Sequence, residues 1–246
     1  MSRGAECVAT GHYAQTREKE GEQRLYAGVD PQKDQSYFLW RVPQELLART
    51  LFPVGALEKS QVRELAQRFE LPNAARPDRQ GLCVLGDVPL EELLRERLEL
   101  RDGDVLDEQG AVVGKHRGAA LYTIGERHGF TLFASVPHTA PHFVVRKDIT
   151  HNTITVSETR TSSVLPNTFS LKETNWIGTV ADGPCLARYR HRQTLIPATL
   201  EQGRNLVRFD EPQAAAAGQS LVLYTSEAGS GSDTRCLGGG VISVTR

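Results

Sequence analysis

The chain changes character near residue 101, and this change constrains its fold more than any other feature. Before it, apolar residues at spacings of three and four predict an amphipathic helix over residues 58–70, and Pro43 and Pro89 each suit the first turn of a helix. After it, short apolar runs alternate with Gly, Asp and Asn turns, a pattern typical of small barrels or sandwiches. We therefore expect the two parts to belong to separate domains.

The first part has too few strands for a sheet of its own. Residues 6–14 have the character of a short strand that runs into a Gly turn, and residues 24–29 that of another short strand. A parallel sheet needs several strands and their crossover connections. Residues 1–87 are therefore interpreted as the back end of an α/β domain whose front is absent.

Two hairpins are predicted early in the β-rich part. One joins residues 104–107 to 111–114 across Glu108-Gln109-Gly110, and the other joins residues 142–146 to 153–156. Further short strands are expected at residues 169–171, 176–180, 186–189, 195–200, 205–209, 220–224 and 240–244.

The charge balance limits how the chain can hold nucleic acid. Lys and Arg number 29 and Asp and Glu number 30, so the net charge is −1. A positive field over the whole surface is excluded, but a local basic cluster is not. No apolar run approaches the roughly 18–20 residues that span a bilayer, and no secretory signal is recognisable. A cytoplasmic location without membrane contact is expected.

The cysteines also favour an intracellular protein. Cys7, Cys83, Cys185 and Cys236 are far apart, and none forms a C-x-x-C pair. This spacing suits neither a disulfide-stapled secreted fold nor closely paired zinc ligands, so no bound metal is predicted. Most of the four are expected to be buried small apolar residues, with at most one or two reactive.

Cys83 lies in an apolar stretch between Gly81 and Gly86. One interpretation is a buried cysteine at a strand edge, because free cysteine is among the most buried residue types. The other is a redox-active thiol on a glycine-hinged loop, with Arg76 and Arg79 available to stabilise the thiolate. The segment is not a phosphate-binding P-loop, since no Lys-Ser/Thr follows the second glycine.

Two polar motifs lie in the first 40 residues. Gly11 follows a predicted strand, where a glycine permits close approach of the backbone to a nucleotide. Its neighbour His12 is either a ligand contact or a satisfied loop residue. The cluster Lys33–Gln35 by itself is typical of a solvated turn.

The densest basic run is Arg188–Arg192. Alternation along a strand would send Arg188, Arg190 and Arg192 to one face, as a stripe that contacts phosphates. Tyr189 or His191 would then be available to stack on RNA bases. An exposed charged strand without a ligand is the alternative.

The motifs occur together in an order that resembles the tRNA-specific 2-thiouridylases. The matching segments of the first part are ATGHYA, GVDPQKDQSYFLWRV, LFPVGALEKSQVRELAQRFELP and DRQGLCVLG. Those of the second part are GDVLDEQGAVVGKHRG, LYTIGERHG, VVRKDI, RYRHRQ, FDEPQAAAAGQSLVLY and CLGGGVI. The resemblance covers nearly the whole chain and is most specific in DPQKDQSYFL and CLGGGVI.

The resemblance implies a multidomain α+β fold and a reaction. Residues 1–87 would end a Rossmann-like ATP-pyrophosphatase domain, 88–157 would form a small central β-rich domain, and 158–246 a C-terminal β-barrel. The implied reaction is 2-thiolation of the wobble uridine of tRNA. ATP, with magnesium expected, activates the C2 oxygen, and a sulfur-relay protein loads a persulfide on a cysteine. That sulfur replaces the oxygen, and a second cysteine helps release it by disulfide formation.

Site residues are implied by the same matches. Cys83 corresponds to the cysteine that carries the persulfide, and Gly11 to a residue that contacts ATP. The family usually has Tyr where His191 stands. The residues that correspond to tRNA contacts are His12, Lys33, Asp34, Gln35, Arg190, His191 and Gln219.

The chain also departs from the family's pattern. No S-G-G-x-D-S pyrophosphate loop precedes Ala9, and Cys7 lacks the context of the family's first catalytic cysteine. Residues 227–235 form a Gly/Ser/Asp-rich insert typical of a flexible linker. We therefore expect an incomplete or split form, inactive alone, with a separate pyrophosphate-loop polypeptide as one option. The alternative is a non-catalytic tRNA- or RNA-binding module, or a vestigial fragment.

Overall fold

A computed structural model describes residues 4–75, 100–134, 140–159, 165–226 and 233–243. The described residues group into two compact units. The first unit contains residues 4–75, 168–210 and those from 217 onward, and the second contains the described residues from 100 to 167 and residues 211–216.

Short helices and a small parallel sheet make up much of the first 75 residues. Strand β1 (Val8–Ala9) pairs in parallel with β4 (Thr50–Leu51). The helices are α1 (Ser36–Leu39), α2 (Gln44–Leu47) and α3 (Lys59–Arg68). The helices predicted after Pro43 and over residues 58–70 are thus confirmed, whereas the one opened by Pro89 lies outside the described residues.

A hairpin connects this segment to the strands of the C-terminal part. It consists of β2 (Ala14–Lys19) and β3 (Glu22–Ala27), and the backbone turns at Glu20 and Gly21, both with positive φ. The short strand that runs into a glycine-containing turn, predicted over residues 6–14, is confirmed in outline. Strand β1 ends at Ala9, and an irregular segment with Gly11 leads to β2, which begins at Ala14.

Six strands of the first unit close into an antiparallel barrel. Their spatial order is β10, β13, β12, β11, β14, β15, and β15 pairs back onto β10. They are β10 (Thr168–Trp176), β11 (Gly183–Arg188), β12 (Ile196–Glu201), β13 (Leu206–Phe209), β14 (Ser220–Ser226) and β15 (Thr234–Ile242).

One edge of strand β15 pairs with two different strands, β3 and β10. Its first residues pair with the hairpin, Arg235 opposite Tyr26 and Cys236 opposite Leu25, and its later residues pair with β10. The hairpin thereby extends the barrel sheet, and Leu25, Trp40, Tyr224 and Cys236 share one buried core. The edge that β3 would expose on its own is covered in this way.

Glycines in CLGGGVI permit this close strand packing. Gly238 has a φ of +104°, and a Cβ added to it would lie 2.0 Å from the carbonyl oxygen of Asn175. A Cβ on Gly239 would lie 2.3 Å from the carbonyl oxygen of Leu221 on the opposite neighbour. The backbones on both sides of β15 thus occupy the space of these side chains, as expected where glycine marks a close backbone approach.

The second unit contains one five-stranded sheet with the order β7, β6, β5, β9, β8. All its pairs are antiparallel except β5 with β9. Val105, Tyr122, Val144 and Ile154 lie in its core. The strands are β5 (Gly103–Leu106), β6 (Val112–His116), β7 (Thr131–Leu132), β8 (Phe143–Asp148) and β9 (Thr153–Ser157).

The strand predictions for the β-rich part are largely confirmed. Both predicted hairpins form, as β5–β6 and β8–β9. The separate strand expected over residues 176–180 is wrong, because β10 already ends at Trp176. The domain boundaries after residues 87 and 157 remain predictions. No helix among the described residues is both long and apolar enough to cross a membrane.

We predict that Gly238→Ala destabilises the first unit by about 1–3 kcal/mol, the usual cost of overpacking. The added methyl group meets backbone that cannot move away, and the left-handed φ adds strain. Urea unfolding followed by tryptophan fluorescence measures this unit alone, since both tryptophans, Trp40 and Trp176, lie in it.

Gly203→Ala is the matched control for this variant, because a Cβ at Gly203 meets no atom within 4 Å. Its free energy of unfolding should stay within about 0.5 kcal/mol of the parent protein. Equal stability of the two variants would show that the barrel does not depend on glycine at position 238.

Candidate nucleic-acid interface

The loop from Gly28 to Gln35 is organised around the carboxylate of Asp34. Asp34 Oδ1 accepts hydrogen bonds from the backbone N–H of Gly28 at 3.1 Å and of Ser36 at 3.0 Å. Asp34 Oδ2 accepts one from the Ser36 hydroxyl at 3.1 Å. The side chain is therefore buried inside the turn that it shapes, and the solvated turn expected from the sequence is wrong for this residue.

A buried ion pair joins this loop to the barrel. Arg188, the last residue of β11, donates from Nη2 to Asp34 Oδ2 at 2.5 Å, and both side chains are less than a tenth exposed. Nη2 and Nε of Arg188 also donate to the hydroxyl of Tyr224, at 2.7 and 3.1 Å. Such a pair balances its desolvation cost only when further hydrogen bonds satisfy both groups, as they do here.

The protonation states of this cluster follow from its burial. Burial acts to lower the pKa of Arg188, but Tyr224 and Asp34 outweigh it and the pKa is raised. Burial raises the pKa of the Tyr224 phenol well above its usual value. Arg188 is therefore charged and Tyr224 neutral at any physiological pH.

Tyr37 makes a second connection between the loop and the barrel. Its hydroxyl lies 3.0 Å from the carbonyl oxygens of both Tyr189 and Ser220, and its single proton is shared between these two acceptors. These residues adjoin Arg190 and Gln219, two of the positions assigned to tRNA. Burial raises the pKa of Tyr37, so that the hydroxyl remains a donor.

Gln35 connects the loop to the segment that carries His12. The backbone N–H of Tyr13 donates to Gln35 Oε1 at 3.0 Å, and the N–H of Gln35 donates to the carbonyl oxygen of Tyr13 at 2.8 Å. His12 precedes this pair, with its Nδ1 2.7 Å from the Thr10 hydroxyl. All the positions assigned to tRNA by resemblance thus lie on, or next to, one connected set of contacts.

An aromatic cluster lies beside this network. The ring of His191 packs against Phe38 with centroids 4.6 Å apart, and Tyr37 is 5.5 Å from Phe38. Phe38 is 54% exposed although it is a large apolar residue. Burial, with the charges of Arg192 and Arg188, lowers the pKa of His191, so its imidazole is neutral at pH 7.

The phosphate-contacting stripe predicted for residues 188–192 is wrong in its geometry. Strand β11 ends at Arg188, and the chain then turns, with Arg192 at a φ of +64°. Arg188 points into the protein because a buried carboxylate 154 residues away satisfies its charge. Arg190 and Arg192 lie in the turn instead of on a strand.

Phe38 and Arg192 are functional candidates that the sequence assignment did not include. The exposure of Phe38 follows from tertiary packing, and no local sequence pattern predicts it. The sequence signal for Arg192 is its membership of the basic run Arg188–Arg192, but only the turn after β11 distinguishes it from the other arginines of that run.

Two of the cysteines are unsuited to thiolate chemistry. Burial raises the pKa of Cys185 to about 11 and that of Cys236 to about 12. They are the buried apolar residues expected from the sequence, whereas Cys7 is exposed. Cys83 lies outside the described residues.

The described residues provide little of a site for ATP. Gly11 is exposed, its φ is not in the left-handed region, and a Cβ there would meet no atom within 4 Å. Nothing in the described fold therefore requires glycine at this position, which fits close approach of a ligand. Gly11 is the one ATP contact that the resemblance assigns, and it lies within the described segments. They contain no group of three or more His, Cys, Asp or Glu side chains that could hold a metal ion.

Three family models match successive parts of the chain. Residues 1–87 match the tRNA methyl transferase HUP domain, residues 91–158 the tRNA methyl transferase PRC-barrel domain, and residues 166–242 the aminomethyltransferase beta-barrel domain. The class defined by fold and site is thus a multidomain α+β protein that carries the domains of tRNA-modifying enzymes.

Curated relatives narrow this class. The tRNA-specific 2-thiouridylase MnmA of Paraburkholderia xenovorans is 40% identical over 253 residues, which cover 98% of this chain and 65% of the relative. That of Paracidovorax citrulli is 39% identical over 261 residues, covering 99% and 67%. The chain belongs to the family of tRNA-specific 2-thiouridylases. It spans about two thirds of the length of these relatives.

We predict that Asp34→Ala lowers the free energy of unfolding of the first unit by about 3–5 kcal/mol, because it leaves the Arg188 charge buried without a partner. Urea unfolding followed by tryptophan fluorescence measures the effect.

Arg208→Ala serves as the control, since it breaks an exposed ion pair with Glu201. It should cost no more than about 1 kcal/mol. If Asp34→Ala costs as little as this control, the pair does not hold the loop against the barrel.

Proposed function

We propose that this chain binds tRNA through the surface around the Asp34–Arg188 pair and takes part in 2-thiolation of the wobble uridine. The observation that supports this most is that the assigned residues lie close together in the fold. Residues assigned to tRNA from separate parts of a family member's sequence are connected by the contacts of one loop.

The residues on this surface would contact different parts of the RNA. Lys33 and Arg190 supply cations for phosphates, and Phe38 with the neutral ring of His191 supplies a face on which bases stack. Asp34 does not face solvent, which suits RNA binding because an exposed carboxylate would repel phosphate. We propose that Asp34 acts through Arg188, as a positioning residue.

For sulfur transfer we propose Cys83 as the carrier of the persulfide. A persulfide carrier must be accessible as a thiolate, and burial prevents this at Cys185 and Cys236. A sulfur-relay protein would load the cysteine. Because tRNA is the substrate, the reaction would take place in the cytoplasm.

We propose that ATP, with magnesium, approaches at Gly11 and activates the uridine oxygen. The open space at this glycine supports the assignment. The phosphate cradle would come from a pyrophosphate-loop segment, on this or another polypeptide.

An apolar surface near β1 and β4 would receive that segment. Parallel sheets are normally covered on both faces, yet Val8 is 51% and Leu51 55% exposed. Amphipathic α3 has no buried residue, and Phe69 after it is 66% exposed. A chain that adds parallel strands beside β1 or β4 would cover these side chains.

Binding of a tRNA transcript to the full chain tests the proposal directly. We predict that Arg190→Ala weakens binding and reduces the slope of log K against log salt by about one phosphate contact, or roughly 0.7–0.9. Titrations from about 50 to 200 mM salt measure both quantities.

Arg208→Ala, on the barrel strand β13, provides the charge-matched control, and its salt slope should equal that of the parent. A parent chain that does not bind tRNA would contradict the proposed function. An unchanged slope for Arg190→Ala would remove Arg190 from the phosphate contacts.

For catalysis, we predict that Cys83→Ser abolishes 2-thiouridine formation in a reaction reconstituted with a pyrophosphate-loop segment, ATP, magnesium and a persulfide donor. Binding of tRNA should remain nearly unchanged, because serine has almost the same size but cannot carry the sulfur. Nucleoside analysis of the digested tRNA measures the product.

Cys185→Ser is the comparison, since that thiol is buried and protonated. If the folded Cys185→Ser protein forms product and Cys83→Ser does not, the assignment stands. Equal activity of Cys83→Ser and the parent removes Cys83 from the mechanism. Binding of tRNA without any thiolation by the reconstituted parent would favour a non-catalytic RNA-binding module.

A further inference from the structure

A pocket of about 520 Å³ opens in the first unit between the loop after β3 and the turn after β11. Val29 and Pro31 line it from the loop, and Arg192 and Leu195 from the turn, with Arg188 among the remaining lining residues. Its volume lies in the range of pockets that bind small organic ligands. It is distinct from the aromatic cluster of Phe38 and His191, neither of which lines it.

Arg188 has a donor left over for a ligand in this pocket. Its Nε and Nη2 are committed to Asp34, Ser36 and Tyr224. Nη1 makes no hydrogen bond to any described residue, and the side chain lines the pocket. A guanidinium whose position is set by a buried carboxylate is a preorganised donor for a phosphate or carbonyl oxygen.

Arg192 is the second cation, and it lies where arginine is disfavoured. Its φ of +64° is in the left-handed region that favours glycine or asparagine. The turn is held by Gln193, whose Oε1 accepts from the N–H groups of Tyr189 and Arg190 at 3.0 and 3.1 Å. Within the described residues the Arg192 guanidinium makes no ion pair or hydrogen bond. Arg192 thus combines a strained backbone with a cation at a pocket, and this combination suggests a functional role.

The charge of the pocket suits an anion. Among the described residues that line the pocket, Asp34 is the one acidic side chain, and Arg188 neutralises it. Arg192 therefore gives the described lining of the pocket a net positive charge. Val29, Pro31 and Leu195 provide apolar walls of the kind that accept a base or a ribose.

We propose that this pocket receives one unpaired nucleotide of the bound RNA, with its phosphate at Arg192 and a polar atom of the nucleotide at Nη1 of Arg188. The inference rests on the proposed function, since it names a subsite for the RNA that the surface binds. The nucleotide must be unpaired because a base within a duplex stack cannot enter a pocket without leaving the stack.

Arg192→Gly tests the charge. Glycine suits the left-handed φ, so the variant should unfold at the same or higher urea concentration, while affinity for a tRNA transcript falls about tenfold. The salt slope should fall by about 0.7, one single-strand phosphate. Asn205→Gly, at another left-handed residue, controls for the backbone change, and Arg208→Ala for the loss of an exposed cation.

Thr194→Trp tests the space. Thr194 is exposed and lines the pocket, so a large side chain there should obstruct entry without altering charge. Affinity for tRNA should fall with an unchanged salt slope, and affinity for a fully paired RNA duplex should not change. Uridine monophosphate should compete with tRNA for the parent more strongly than inorganic phosphate does, whereas equal competition would indicate a phosphate site without a nucleotide.

The outcomes separate this inference from the proposed function. Failure of the parent chain to bind tRNA contradicts both. If the parent binds and Arg192→Gly matches it in affinity and salt slope, the subsite is overturned and the proposed function stands. If Arg192→Gly weakens binding but a folded Thr194→Trp protein binds as the parent does, Arg192 is a surface contact and the pocket is not used.

Discussion

The ion pair between Asp34 and Arg188 is the interaction on which the rest of the candidate interface depends. Its two residues come from distant parts of the chain, and both are buried. Two charges in such a place are tolerated because both carboxylate oxygens accept hydrogen bonds, from Gly28, Ser36 and Arg188, while the Tyr224 hydroxyl accepts from the guanidinium. The ion pair therefore fixes the loop that precedes α1 relative to the end of β11. The positions of the neighbouring residues depend on this arrangement.

The same constraint explains how a near-neutral chain could display the proposed site for a polyanion. Arg188 and Asp34 cancel one another in the interior, and further cations lie on the turn after β11 and on the loop after β3. A positive field over the whole surface is unnecessary when a few cations are held in fixed positions beside aromatic rings. Stacking on Phe38 and His191 would then contribute affinity that does not depend on net charge.

Much of the fold was predictable because it follows from local patterns. Hairpins β5–β6 and β8–β9 form where alternating residues flank Gly, Asp and Asn turns, and α3 forms where apolar residues recur at spacings of three and four. The shortage of strands in the first part was also predictable, but the pairing of its hairpin with the barrel was not. Pairing of β3 with β15 depends on which edge a closing barrel leaves open, and no pattern within residues 14–27 specifies that edge.

The sequence by itself determined the family, the β-rich character of the second half and the residue types at the interface, because motifs and periodicity are local properties. Only the tertiary structure decided where those side chains lie and what they contact. Alternation along the chain would send Arg188 outward, but the energy of a buried guanidinium depends on a carboxylate 154 residues away. The turn that follows then places Arg192 in a left-handed conformation in the lining of a pocket. Such outcomes are set by desolvation and by long-range hydrogen bonds, which no local sequence pattern encodes.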